Sequence, residues 1–349
     1  MISDNNKPSK PPVIIGFGLA GVTLAWQFYF QKRNFLVYDS GVNHSTRTAA
    51  GLVNPIVFKR LTKSWNADIL MPHAENFYTQ IEKKLHVKLL SRKNIYSVFS
   101  SVEDENNWSV KEGDDRYKNF MRQSEILPIE NVQMPYGLGK VNTFGNLDTN
   151  LFLNASKEFF FKNNVPFINP RFDYDDVLKH QNQTFIFCEG FDVLNNPYFN
   201  YLPFKPSHGE TLIIETDELN FDEVLSKNMF VLPLGNNRFK IGATYNWDLK
   251  EPITTELGKT EIIEKFENFI DCNYTIISHH AGIRPTVSDR KPLLGTHPTQ
   301  KNAHIFNGLG TKGVMIAPHY GAQLLHFLFN EKALEKEVDV VRYEKLYIE

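Results

Sequence analysis

Three glycines, Gly16, Gly18 and Gly21, interrupt the apolar run V-I-I-G-F-G-L-A-G, and Asp39 ends the next apolar run. The spacing suits one task. Gly16 permits a tight turn, Gly18 lets backbone approach a diphosphate, and Gly21 lets a helix pack closely on a strand. A helix that opens at Leu19 and Ala20 offers its N–H groups and partial positive charge to phosphates. Asp39, with Ser40 beside it, can accept hydrogen bonds from ribose hydroxyls, so a bound dinucleotide is expected. A second block, H-H-A-G-I-R-P-T-V-S-D-R-K-P, contains Arg284. Its guanidinium is a rigid two-pronged donor suited to a carboxylate, and an ion pair with a nearby acid is the structural alternative. A third, N-G-L-G-T-K-G-V, places Gly308, Leu309, Gly310, Thr311, Lys312, Gly313 and Val314 ahead of an apolar helix. That helix N-terminus can hold negative charge, and Lys312 either adds to it or is a solvated loop lysine.

These residues need elements to position them. Apolar runs predict strands at 13–15 and 35–38, with an amphipathic helix over 19–32 between them. Helical spacing recurs over 68–84, within 145–164, over 261–269 and over 314–329. Strand-like runs occur at 94–99, 185–187 and 305–306, and the polar stretch 103–115 reads as surface loop or helix. Residues 207–247 alternate strands and turns, with G-N-N-R as a hairpin turn before F-K-I-G-A-T-Y. Nucleotide-type elements thus occur at the start, middle and end of the chain, with antiparallel sheet between. A nicotinamide dehydrogenase usually keeps its nucleotide half contiguous, so the interleaving points toward a flavoprotein.

Bulk properties narrow the class. The chain has 349 residues, 42% hydrophobic, with a net charge of −2, which gives no electrostatic reason to expect nucleic acid or an anionic membrane. Residues 1–12 are polar and proline-rich, read as a flexible tail, and lack the apolar core of a signal peptide. No apolar run is long enough to span a bilayer. Cytoplasmic location is the expectation. Cys188 and Cys272 are far apart and suggest no disulfide framework. No Cys/His cluster has zinc spacing, and no metal site is expected.

The glycine start, A-A-G-L-V-N-P from Ala49, F-V-L-P-L-G-N-N-R-F-K-I-G-A-T-Y from Phe230, G-I-R-P and the C-terminal glycine loop together resemble the D-amino-acid oxidase superfamily. That group of flavin-dependent amine oxidases includes glycine oxidase, sarcosine oxidase and the FAD domain of the tRNA-modifying enzyme MnmC. The resemblance covers most of the chain but not 96–138. It implies an α/β plus α+β architecture: a Rossmann-type FAD-binding domain (13–60, 140–200, 280–349) and a mostly antiparallel-sheet substrate domain (61–139, 201–279). It implies FAD, non-covalent because neither cysteine falls in the family's attachment motif. Thr48, Ala49, Ala50, Gly51 and Leu52 would lie against the flavin ring, and Gly190 would be among the cofactor-binding residues. Arg284 would hold a substrate carboxylate. Lys240 matches the lysine that activates oxygen in sarcosine-oxidase-like members, or is an outward strand lysine. Tyr245 lines the substrate pocket or packs in the sheet. The implied reaction is oxidation of a C–N bond in a small amino acid or secondary amine. Two alternatives stand beside it: oxidative removal of a carboxymethyl group from a tRNA wobble uridine, with Lys59, Arg60 and Lys63 meeting phosphates, and a flavin-binding redox sensor without turnover.

Overall fold

The computed structural model describes residues 10–42, 44–123, 128–329 and 331–348. The tail reading for residues 1–9 lies outside them. The described residues divide into two compact units: those within 1–43, 153–206 and 284–349 form one, and those within 44–152 and 207–283 the other. Residues 44–60, 140–152 and 280–283, expected with the nucleotide elements, lie in the second unit, and 201–206 lie in the first.

The first unit is built on a six-stranded sheet. Its spatial order is Phe167–Ile168, Leu36–Tyr38, Val13–Ile15, Phe185–Phe187, Ala303–Asn307 and Leu293–Thr296. The first five are parallel, and Leu293–Thr296 closes the edge antiparallel to Ala303–Asn307. Val13, Ile14 and Ile15 are all buried, as are Phe185 to Phe187. Such runs lack alternation because a parallel strand is covered on both faces. The helix Leu19–Phe30 packs against the helix Gly313–Leu328. Gln27 donates to the Pro318 carbonyl at 3.0 Å, and Trp26 Nε1 donates to Ser156 Oγ at 2.8 Å.

The second unit carries an eight-stranded sheet, running from Thr275–Arg284 through Ser207–Glu215, Arg238–Gly242, Phe230–Gly235, Val224–Ser226, Ile95–Val98 and Leu138–Val141 to Met121–Gln123. The pair of Val224–Ser226 with Ile95–Val98 is parallel. Leu212, Ile214, Phe239 and Ile241 belong to one buried core with Ile262 and Phe266 of the helix Glu256–Glu267. Each such side chain contributes about 1.5–3 kcal/mol when fully buried. Strand side chains alternate, so Lys240, between Phe239 and Ile241, is directed to the other face.

The helix expected over 261–269 starts earlier, at Glu256. Thr255 caps it by accepting from the Gly258 N–H, a signal that apolar periodicity does not contain. The polar stretch 103–115 is mostly a helix, Val102–Glu112. Ser101 caps it, and Glu103, Asp104 and Glu105 in the first turn suit the helix dipole. Among the described residues no helix is long and apolar enough to cross a membrane.

Candidate functional site

In the first unit the glycine turn is forced by neighbouring backbone. Gly16 has φ +92°, and a Cβ there would lie 2.7 Å from the Cys188 carbonyl oxygen. A Cβ on Gly21 would lie 1.9 Å from the Gly16 oxygen. Gly18 is the N-cap of Leu19–Phe30, no side chain caps that terminus, and its first turn carries no acid. Leu19 and Ala20 are in that first turn, so the helix end is suited to an anion. Asp39 follows the strand Leu36–Tyr38 and is buried. The Phe17 N–H donates to its Oδ1 at 3.3 Å, and Lys157 Nζ lies 3.3 Å from its Oδ2. Ser40, next along, is exposed. Asp39, Lys157, Phe161 and Phe167 line a cavity of about 550 Å3.

The other two sequence blocks of this unit meet the same region. Asn307 Nδ2 donates to the Gly190 carbonyl at 2.9 Å, while its Oδ1 accepts from the Gly308 N–H at 2.8 Å. Gly190, Gly308 and Gly310 all have positive φ. A Cβ on Gly308 would lie 2.6 Å from Val287, and one on Gly310 would lie 3.9 Å from Thr286. The glycine loop is therefore backed by the chain just after Arg284, whose carbonyl accepts from the Thr286 N–H at 2.8 Å. Arg284 itself is half-buried at the end of Thr275–Arg284. Leu309, Thr311 and Lys312 complete the loop, and Gly313 and Val314 open the second helix. A Cβ on Gly313 would lie 2.7 Å from Leu19 Cδ2. Two helix N-termini, Leu19 and Gly313, thus stand side by side, and their partial positive charges add. Burial holds the Lys312 ammonium down to about 8. Burial also pushes the half-buried Glu189 carboxyl up to about 7, against donors from Asn196 and Tyr174 at 2.7 Å each. That weakens its negative charge beside the turn.

In the second unit, Thr48 Oγ1 donates to the Ala281 carbonyl at 2.8 Å, and Ser45 Oγ donates to that of Ile283. The segment that continues into Ala49, Ala50, Gly51 and Leu52 is thereby fastened to the strand leading to Arg284. Lys240, 7% exposed, donates to the Ala49 carbonyl at 3.0 Å. Burial brings its ammonium down to about 8, partly offset by the charge of Asp148. His280 is lowered by burial and then by Lys240 and His279. Tyr245 lies beyond the end of the strand Arg238–Gly242 and is 58% exposed, so it does not pack within the sheet.

Gly51 makes a direct test of this segment. Its φ is +67°, and a Cβ would lie 1.9 Å from the Leu147 carbonyl oxygen. Gly51→Ala is expected to cost about 2–4 kcal/mol through clash and backbone strain. The midpoint of urea unfolding measures it, and a midpoint unchanged from wild type would show that the segment moves freely.

Some site residues carry no local signal. Lys157 reaches Asp39 from 118 positions away, and Asn307 reaches Gly190 from 117. Glu210, buried, accepts from Thr255 Oγ1 at 2.7 Å and from its N–H at 2.9 Å. His279 Nε2 lies 2.7 Å from it, in contact but poorly aligned for a hydrogen bond. Arg290 is exposed, and Lys291 pairs with Glu337. Among the described residues no group of three or more His, Cys, Asp or Glu could hold a metal ion.

Glycine oxidase of Bacillus subtilis (strain 168) is 26% identical over 147 residues, 41% of this chain and 39% of that protein. The matched part therefore spans about two-fifths of the length of that relative. Among solved structures, glycine oxidase from Geobacillus kaustophilus superposes with a TM-score of 0.78 at 13% identity, covering 95% of this chain and 96% of that one. Iminodiacetate oxidase from Chelativorans sp. BNC1 gives 0.73 at 19% identity, covering 95% and 98%. These likenesses show a shared fold. The family model described as DAO, FAD dependent oxidoreductase, matches residues 13–326, and the chain belongs to that family.

Proposed function

We propose that the protein holds FAD non-covalently and oxidises the C–N bond of a small amino acid or secondary amine. The observation that carries this is the pairing of the two helix N-termini, at Leu19 and Gly313, beside Gly16, Gly21, Gly308 and Gly313, at each of which a Cβ would clash. The cradle suits a dinucleotide's diphosphate, and Asp39 would accept from a ribose hydroxyl. The residues of the chain fit the group on that ground. When bound, FAD would supply the hydride acceptor for the substrate carbon and the route for its electrons to oxygen or another acceptor.

The chain's own contributions are electrostatic and positional. The Gly313 helix end and Lys312 favour negative charge on the reduced ring. Arg284 orients a substrate carboxylate, and Tyr245, being exposed, is available to line the substrate pocket. Lys240 places a cation beside the Ala49 carbonyl, in the segment assigned to the ring. The substrate amine must be neutral to react, and the imine product is hydrolysed by water. Glycine oxidase and iminodiacetate oxidase, among the similar proteins, have names that fit this substrate class. The tRNA-borne substrate draws less support, because Lys63 is paired with Asp68, leaving Lys59 and Arg60 as the exposed cations of that loop.

The purified protein is expected to be yellow, to release FAD into the supernatant on acid or heat precipitation, and to bleach anaerobically with small amino acids or secondary amines. A protein that binds only a nicotinamide nucleotide would refute the flavin reading. Bleaching by carboxymethyl-modified tRNA and by no free amine would replace the substrate assignment. A bound flavin that no candidate of either kind bleaches would favour a sensor.

A further inference from the structure

The first unit contains a second cavity, of about 220 Å3, away from the glycine loops. Leu293–Thr296 pairs antiparallel with Ala303–Asn307, so Leu293 lies opposite Asn307 and Thr296 opposite His304. The cavity, lined by Thr296 and His297, is at the His304 end. The glycine loop is at the Asn307 end, three residues or roughly 10 Å along the strand.

Two buried polar atoms of the lining residues have no hydrogen-bond partner among the described residues: His297 Nε2 and the Tyr201 hydroxyl. His297 is 2% exposed. Its Nδ1 accepts from the N–H groups of Thr299 at 3.3 Å and Gln300 at 3.0 Å. In the neutral ring the proton must then sit on Nε2, which makes that atom a donor. Burial keeps the ring neutral, with its pKa down to about 4, helped by Lys301. Tyr198, Phe199, Tyr201 and Tyr347 stand nearly perpendicular to the imidazole and hold its orientation. Burial, with Tyr347 and Glu344, raises the Tyr201 hydroxyl to about 12, so it keeps its proton and can donate.

Lys301, exposed at the rim, adds a cation. Thr296 is already bonded to His304 at 2.9 Å. Asp339 and Glu344 supply negative charge to the same cavity. Asp339 accepts from the Val341 N–H at 3.0 Å, while the neighbouring Arg342 guanidinium bonds Asp289 and backbone carbonyls rather than the Asp339 carboxylate. Phe327 and Val340 give an apolar wall. A buried donor without a partner costs about 1–3 kcal/mol, and the volume is several times the roughly 30 Å3 share of one water.

We propose that this cavity binds a small zwitterionic amino acid with an apolar side chain. Its carboxylate is taken by His297 Nε2–H, the Tyr201 hydroxyl and Lys301, and its ammonium by Asp339 and Glu344. The side chain lies on Phe327 and Val340. This site is separate from substrate turnover and stands whether or not the protein oxidises amino acids.

The test uses the flavin-loaded protein labelled with 15N-histidine and the probe 2-aminoisobutyrate. That amino acid has no α C–H and cannot lose a hydride, so it reports binding without turnover. The His297 resonance is assigned by its loss in His297→Gln. A saturable shift of His297 Nε2 is expected with the probe, and none with acetate or isopropylamine at the same concentration. Tyr201→Phe and, at the rim, Lys301→Met should each weaken binding about tenfold. The histidine spectrum shows that each variant is folded, and Lys301→Met serves alone if Tyr201→Phe is not. A His297 signal unmoved up to the solubility limit of the probe would overturn the proposal, leaving a solvent-filled cleft. So would an equal shift with acetate, or unchanged affinity in the folded variants.

Discussion

Lys240→Met is expected to slow reoxidation of the reduced protein by oxygen about 10²–10³-fold, the typical loss when one preorganised electrostatic group is removed. Methionine nearly matches lysine in length and volume, so the strand Arg238–Gly242 should keep its packing. The change removes a buried cation whose Nζ is anchored on the Ala49 carbonyl at 3.0 Å. Negative charge that develops on oxygen would lose one source of compensation. Reduction by substrate, in which that charge does not form, should change far less. Stopped-flow mixing of the reduced protein with oxygen measures the step directly. The wild type has a pH signature as well. The Lys240 ammonium titrates near 8 and carries its charge below that value. The oxygen reaction should therefore be fast below pH 8 and decline as the pH rises through it, and the Met variant should keep only the part of this dependence that belongs to Lys312, whose ammonium burial also lowers to about 8. Equal oxidation rates in the two proteins would make Lys240 a structural anchor of the 44–52 segment.

For Arg284→Ala, the expectation is a loss of about 2–5 kcal/mol in binding of carboxylate-bearing substrates or inhibitors, or about 30-fold to several thousandfold. A carboxylate without its guanidinium partner is desolvated and left uncompensated. Amines without a carboxylate should be nearly unaffected, and flavin content should be retained. Arg284→Lys should recover only part of the loss, because an ammonium cannot reproduce the two-pronged geometry. Flavin difference spectra titrated with a small carboxylate inhibitor report both variants. Unchanged dissociation constants would return Arg284 to a role in fastening the chain ahead of Thr286.

The two variants probe different units, and the contrast bears on what could be read from the chain alone. The strand–glycine–helix–strand segment that ends at Asp39 was legible because its causes are local. A positive φ at Gly16 and the absence of a Cβ at Gly21 are requirements met within a few residues. The same holds for the glycine loop at 308–313. The boundaries were less legible. The start of Glu256–Glu267 depends on Thr255, whose side chain is itself oriented by Glu210 from a different strand. The second unit's claim on 44–60 arises from bonds of Ser45 and Thr48 to the strand Thr275–Arg284, more than 230 positions on.

By itself, then, the sequence determined the glycine turn, the acid that follows it, the glycine-rich second helix start and the interleaved order of sheet types. Each follows from backbone sterics or side-chain periodicity over a short stretch. Only the tertiary structure decided that Gly313 meets Leu19, that Lys157 faces Asp39, that Lys240 is a buried cation on Ala49, and that His297 and Tyr201 share a cavity. In each of these the partners come from segments separated along the chain. Which of the many compatible partners meet is settled by how the sheets and helices pack, and burial then sets the charge and proton state of the groups that are brought together.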